Sequence, residues 1–98
     1  MVNQQSSVNW KPAVHNFGNI EWHKDHSTEF EYTGDKTISS IESSCPCVQL
    51  NVTYNPIKIK ATWRPKRPEH GFTSSTKAIT VKYLDHTRER LYLTATIQ

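Results

Sequence analysis

Two neighbouring stretches of alternating apolar and polar residues constrain the fold of this chain more than any other feature. In residues 48–54, and again in residues 57–64, every second side chain is apolar or aromatic and most of those between are polar. A period of two residues places the apolar side chains on one face of a strand, whereas a helix would scatter them around its axis. Asn55 and Pro56 separate the stretches and are typical of a turn. We therefore predict two β-strands, each with one buried face.

Other segments also have strand character, and they lie at residues 14–22, 27–32, 38–41, 79–83 and 91–97. Gly18 indicates a bend in the first of these segments. Ile38 and Ile41 are three residues apart, which breaks strict alternation and predicts a bulge near Ser39 and Ser40. Together the segments make about seven strands with frequent turns, a pattern typical of an all-β, immunoglobulin-like β-sandwich.

The sequence divides into a polar arm, residues 1–12, and a single sandwich domain, residues 13–98. The arm is rich in Asn, Gln and Ser, and Trp10 is its one large aromatic residue. Trp10 either packs on its own domain or anchors a partner protein, because tryptophan is enriched at interfaces. We expect the core to contain Phe17, Ile20, Phe30, Tyr32, Ile41, Val48, Leu50, Val52, Ile57, Ile59, Trp63, Ile79, Val81, Leu91, Leu93 and Ile97.

The net charge of +3 hides an asymmetry between the two halves of the chain. Residues 1–50 contain three lysines and six acidic residues, a net of −3, whereas residues 51–98 contain nine cations and three acidic residues, a net of +6. This asymmetry predicts a surface that attracts charged partners. The candidate interaction residues are Trp10 and the five cations of a basic stripe, Lys58, Lys60, Arg64, Lys66 and Arg67.

Cys45 and Cys47 are the sharpest candidates for chemistry. With His15, His23, His26, His70 or His86 they would bind metal only poorly, because structural zinc sites pair their ligands at spacings of about two to four residues. A disulfide across Pro46 would close a very short loop, so we expect reduced thiols packed as small hydrophobic groups. We expect no metal and no cofactor.

No segment of the sequence indicates catalysis or membrane insertion. A nucleophile beside a base at a diagnostic spacing is absent, and the three glycines read as turn residues rather than a phosphate loop. Residues 1–7 are polar, and no apolar run approaches the roughly 20 residues of a membrane span. We therefore expect a non-enzymatic protein made inside a cell.

Several short motifs together resemble a bacterial family of immunoglobulin-like domains of unknown function. They are Phe17-Gly18-x-Ile20, Phe30-x-Tyr32-Thr33-Gly34, Ser43-Ser44-Cys45-Pro46-Cys47 and Gly71-Phe72. The resemblance covers residues 14–98 and extends to the Hydin-type and major-sperm-protein-type sandwiches. Tyr32 and Pro46 depart from the family's usual asparagine and glycine. The resemblance implies the sandwich fold and does not imply an envelope role.

For function, we expect a structural or interaction module, specifically a bacteriophage virion accessory protein that decorates or cements a capsid or tail. Its partners would be capsid or tail subunits and copies of itself, since repetition lets weak contacts act together. An intracellular protein–protein adaptor in the cytoplasm is the alternative. Binding of nucleic acid by the basic stripe is a third hypothesis, although no nucleic-acid motif accompanies the stripe.

Overall fold

The computed structural model describes residues 9–98, which form two four-stranded β-sheets packed face to face. The strands are β1 (Trp10–Lys11), β2 (Val14–Ile20), β3 (His26–Tyr32), β4 (Ile38–Ser43), β5 (Val48–Thr53), β6 (Lys58–Trp63), β7 (Thr73–Tyr83) and β8 (Arg88–Ile97). Sheet 1 has the order β1-β3-β6-β5, and sheet 2 has the order β2-β8-β7-β4. All neighbours are antiparallel except β2 and β8. This order is that of immunoglobulin-like sandwiches, so the predicted fold class is confirmed.

Strands β5 and β6 pair as the alternation predicts. Val48 lies opposite Trp63 and Val52 lies opposite Ile59, so the apolar faces of both strands point into the sandwich. On the outer face, Lys60 of β6 lies opposite Glu29 of β3, and the next pair along repeats this arrangement. The acidic and basic halves of the chain are therefore interleaved in sheet 1, rather than separated on two sides of the molecule.

The two predicted irregularities are present. The register of β2 against β8 shifts between Asn16 and Asn19, where Gly18 has a φ of 76°. Glycine has no Cβ, so it adopts this left-handed conformation without strain. The register of β4 against β7 shifts between Ile38 and Ser40. Strand β7 is longer than predicted and begins at Thr73. The prediction started the strand later because its first residues are small and polar and show no apolar alternation.

Among residues 9–98, 14 apolar side chains are buried and form the core. Ten of the sixteen predicted core residues are among them, and the other six are partly buried and pack against the core. The buried residues that the predicted core left out are Trp10, Ala61, Tyr83 and Ala95. Ala61 and Ala95 are buried because the alternation places them on the inner faces of β6 and β8.

The predicted exposed arm must be corrected where the structure describes it. Trp10 is only 4% exposed and pairs with Tyr32 at the edge of sheet 1, so it belongs to the domain. The chain then crosses from sheet 1 to sheet 2 at Pro12, which has no N–H to donate to a ladder. The rest of the predicted arm, residues 1–8, lies outside the described residues. Within residues 9–98, no helix is long and apolar enough to span a membrane.

Candidate functional site at the Cys45 end

The two ends of the sandwich differ in the loops that they carry. The Cys45 end has the loops of residues 21–25, 44–47 and 64–72, together with the last residue of β8. The Tyr83 end has the loops of residues 33–37, 54–57 and 84–87, together with β1. The candidate site lies at the Cys45 end, where the longest loop meets the two cysteines.

Cys45 and Cys47 form a disulfide, so the expectation of two free thiols is wrong. The turn at Pro46 brings their Cα atoms to 5.2 Å, which is within the usual range for disulfides. The backbone N–H of Cys47 also donates to Cys45 Sγ at 3.2 Å. The number of residues between two cysteines does not show where their side chains point, and the tight turn at Pro46 directs both side chains to the same side.

A cleft of about 450 Å³ opens between the disulfide, the loop of residues 64–72 and the first half of β7. Trp63 and Ile97, both almost fully buried, form part of its wall. The indole Nε1 of Trp63 is buried and has no hydrogen-bond partner among the described residues. The cleft thus combines an apolar interior, a disulfide and a polar rim.

The rim of the cleft is positively charged. Lys66 and Arg67 come from the loop, and Lys77 comes from β7. Glu69 is the one carboxylate among the lining residues, so three cations and one anion give a net charge of +2 when His70 is neutral. A concave surface of one sign concentrates counter-ions and charged ligands. The arrangement therefore suits a ligand that carries negative charge.

A smaller groove of about 310 Å³ lies on the other side of the same loop. Its lining includes Trp22, which is 37% exposed, and the Arg67 guanidinium lies 5.8 Å from the centre of that indole ring. Cation–π attraction at an exposed site contributes about 0.5 to 1 kcal/mol. Arg64, by contrast, pairs with Asp25 through Nε and Oδ1 at 2.9 Å. Lys66 and Arg67 are therefore the cations that the loop presents to both cavities.

The structure separates the six predicted interaction residues into three places. Arg64, Lys66 and Arg67 lie together at the Cys45 end. Lys58 and Lys60 lie on the outer face of sheet 1, opposite two glutamates. Trp10 is buried at the Tyr83 end. The predicted stripe is therefore not one continuous basic surface.

Lys77 was missed by sequence reasoning, although the sequence contains the signal that places it. Ile79, Val81 and Tyr83 are the inward residues of β7, and a period of two continued backwards puts Lys77 on the same face. It lies opposite Leu93, which is fully buried, and it lines the cleft. The prediction began β7 at Ile79, so this inward lysine was never considered.

At the Tyr83 end, an aromatic and polar network occupies the space between the sheets. Trp10 Nε1 donates to Tyr83 Oη at 2.9 Å, and the tyrosine hydroxyl donates in turn to Glu89. Asn9 Nδ2 donates to the same Glu89 oxygen at 2.9 Å. Burial, together with the Glu89 carboxylate, raises the pKa of Tyr83. The Tyr32 ring contacts both aromatic partners, with ring centroids at 4.9 Å from Trp10 and 6.3 Å from Tyr83.

Metal-ligand geometry does not occur in the part of the chain that the structure describes. No group of three or more His, Cys, Asp or Glu side chains is close enough together there to hold an ion. Both cysteines are committed to the disulfide. The binding chemistry of the Cys45 end therefore comes from its charges, its hydroxyls and its apolar wall.

A family model described as "Protein of unknown function (DUF1573)" matches residues 8–97. The chain belongs to this family. The match begins before Trp10, in agreement with the structure, which places β1 within the domain. A comparison with curated proteins found no match. Membership in DUF1573 supplies no activity, so function has to be argued from the geometry.

Proposed function

We propose that this DUF1573 chain is a non-enzymatic protein-binding module that holds an acidic, extended segment of its partner in the cleft at the Cys45 end. The observation that carries the proposal is the net charge of +2 around a concave surface with an apolar wall. Acidic side chains would lie near Lys66, Arg67 and Lys77 at the rim, while apolar side chains of the same segment would contact the wall. Complementary charge of this kind mainly increases the association rate and selects among partners.

The cleft is tested with a fluorescently labelled oligoglutamate peptide, followed by anisotropy, and with a Gly-Ser peptide of equal length as the neutral control. We expect the acidic peptide alone to bind, and the double substitution Lys66→Glu/Arg67→Glu to weaken binding by about tenfold or more. The matched control is Arg88→Glu/Arg90→Glu, which makes the same change in charge on exposed residues of β8. Equal loss of binding in both variants would show a general charge effect and would refute the proposed site.

Nucleic-acid binding is the alternative use of the same cations, and Trp22 beneath Arg67 is the observation that favours it, because exposed aromatic rings stack on bases. The glutamates opposite Lys58 and Lys60 in sheet 1 offset part of the positive charge that this hypothesis needs. Single-stranded DNA of the same charge as the peptide distinguishes the two. If DNA binds more tightly than peptide, with affinity that falls steeply between roughly 50 and 200 mM salt, the nucleic-acid function replaces our proposal.

We propose that the protein is located on a bacteriophage virion, where many copies of a small sandwich decorate a capsid or tail. The alternative is a protein–protein adaptor in the cytoplasm. Support comes from the physics of repetition, which makes weak contacts effective together. Because Trp10 is buried, it cannot anchor the arm to a neighbouring subunit without leaving the core. The test is therefore deletion of residues 2–8, which keeps β1. Virions purified after this deletion should lack the protein, and normal incorporation would refute docking by the arm.

The finer relationship, to Hydin-type and major-sperm-protein-type sandwiches, also belongs to the proposal. It is supported by the residue patterns around Phe17-Gly18, Thr33-Gly34 and the two cysteines. Superposition on members of those families tests it, since a true relationship requires the crossing that contains Cys45 and Cys47 to superpose together with the strands. A good fit of the sheets with a different connection at this crossing would refute it.

A further inference from the structure

We infer that this chain pairs with a second copy of itself through the free edge of β5, in an antiparallel arrangement with Asn51 at the two-fold axis. Sheet 1 would then continue from one copy into the other as a sheet of eight strands. The inference is independent of the proposed cleft, because no residue of β5 lines that cleft. It concerns an interaction surface that rests on backbone groups rather than on the basic loop.

The hydrogen-bond pattern identifies the backbone groups on this edge. Arg64 N–H donates to Cys47 C=O at 3.1 Å, so the ladder between β5 and β6 uses Cys47 and then every second residue. The residues between them turn their backbone groups away from β6. Val48 shows this directly, since its N–H donates to Cys45 C=O at 3.1 Å and its C=O accepts from Ser43 Oγ at 3.1 Å.

Leu50 and Val52 follow Val48 at intervals of two, so their N–H and C=O groups point to the same free edge. No partner for these groups occurs in the described part of the chain. Their side chains are half-buried, and they lie on the inner face of the sheet. The free edge thus offers two donors, two acceptors and the exposed flanks of two aliphatic side chains.

The other three sheet edges have features that discourage pairing with another chain. Strand β1 has only two residues and is followed by Pro12, and β2 has a register shift at Gly18. Strand β4 has a register shift near Ser39 and carries Glu42. Short strands, bulges and charges are the usual means of blocking edge pairing. Strand β5 has six residues in regular register and no charged side chain.

The sequence of β5 is also complementary to itself. With Asn51 opposite Asn51 of the second copy, Leu50 lies opposite Val52 and the two exchange N–H···O=C bonds, which gives four such bonds across the axis. Gln49 then lies opposite Thr53, so every outward pair is uncharged. The nearest outward cations, Lys60 of each copy, are separated by three strand spacings, about 14 Å. This exceeds the screening length of roughly 8 Å at physiological salt, so their repulsion is small.

Sedimentation equilibrium of the full chain, over roughly 1 µM to 1 mM, tests the pairing, since an edge contact of this size gives a weak dimer. We expect a dimer whose dissociation constant rises by at least about tenfold in Asn51→Lys, because two lysines would then face each other at the axis. Asn19→Lys makes the same exchange at an exposed position of β2, and it should leave the constant unchanged. Circular dichroism and thermal melting verify that both variants fold.

Cross-linking tests the register. In a Cys45→Ser/Cys47→Ser background, Asn51→Cys should form a disulfide between copies, because directly opposed residues outside the hydrogen-bonded pairs have Cα atoms about 4.5 Å apart. Asn19→Cys in the same background should not. A monomer at every concentration overturns self-pairing and leaves the edge to an extended segment of another protein. A dimer that Asn51→Lys does not weaken, or equal cross-linking by both cysteines, overturns the assignment to β5.

Discussion

The two ends of the sandwich solve the same packing problem in different ways. At the Tyr83 end, the rings of Trp10, Tyr32 and Tyr83 fill the space between the sheets, and hydrogen bonds link Trp10 to Tyr83 and Tyr83 to Glu89. At the Cys45 end, a cleft remains, and its loop is rich in proline and cations. The filled end therefore contributes packing and hydrogen bonds to stability, whereas the open end carries the candidate binding surface. This division of roles predicts that changes at the Tyr83 end cost more stability than changes at the Cys45 end.

Among the single substitutions, Trp10→Ala should have the largest effect on stability. The substitution removes a large buried side chain and the donor to Tyr83, and such changes cost about 3 to 5 kcal/mol. Trp22→Ala removes the same side chain from a position that is 37% exposed at the Cys45 end, and its cost should be below about 1 kcal/mol. Urea denaturation measures both values. Similar losses for the two variants would contradict the division between the ends.

Removal of residues 2–12 should also destabilise the domain, because the deletion takes β1 with it. Deletion of residues 2–8 keeps Trp10 in place, so the thermal melts of the two truncated proteins can be compared directly. The longer deletion should melt well below the shorter one, and equal melting temperatures would show that β1 contributes little.

Tyr83→Phe should destabilise by about 1 to 3 kcal/mol, the usual cost of leaving a buried donor without its acceptor. The donor in question is Trp10 Nε1. Tyr54→Phe provides the matched control, since that side chain is 68% exposed, and it should change stability by less than about 0.5 kcal/mol. Denaturation in urea measures the difference, and an unperturbed Tyr83→Phe protein would mean that the hydroxyl network adds no net stability.

Loss of the disulfide should cost less than loss of the aromatic network. A closed loop of three residues restricts the unfolded chain only slightly. Loop-closure entropy therefore predicts that the disulfide adds roughly 1.5 kcal/mol to the free energy of unfolding. Denaturation with and without reductant measures this value, and Cys45→Ser/Cys47→Ser is the variant that reductant should not affect. An intact mass two hydrogens above that of the oxidised chain would show that the thiols are free under the conditions used.

Acidification should have the smallest effect, confined to one exposed loop of the Tyr83 end. Hydrogen bonds from the side chain and backbone of Thr87 lower the pKa of Asp85 to about 2. Because the folded pKa lies below the ordinary value, the contribution of Asp85 is present above roughly pH 4 and is lost as the pH falls towards 2. The stability difference between the parent and Asp85→Asn should therefore shrink in that window. A difference that stays constant would exclude the linkage.

Sequence reasoning succeeded where a long, regular alternation determines the structure and failed where geometry across the fold decides. The alternation in residues 48–64 was sufficient to place β5, β6 and their inward side chains. Trp10 was left out of the predicted core because a strand of two residues has no periodicity to detect. The disulfide was missed because the direction of two side chains in a turn does not follow from their separation. Lys77 was missed because β7 starts with small polar residues, which conceal the inward position of the lysine.

For the predicted interaction residues, the surface charge also depends on which strands lie next to each other. The charges of Lys58 and Lys60 were visible in the sequence, but the glutamates opposite them follow from the pairing of β3 with β6, about 30 residues apart. Arg64, Lys66 and Arg67 lie in a loop, because Pro65 and Pro68 have no N–H to donate to a ladder. A charge pattern in a β-protein therefore indicates a surface only after the neighbouring strands are known.

The parallel pairing of β2 with β8 has a mechanical consequence. The chain enters β2 at one end of the sandwich and leaves β8 at the other, and the two strands are hydrogen-bonded neighbours. Tension applied through the flanking chain would first detach the two-residue strand β1 and would then pull β2 and β8 along their length in opposite directions. All the hydrogen bonds between them would carry that load together, instead of opening one after another. A domain with this geometry resists stretching along the line between its two ends.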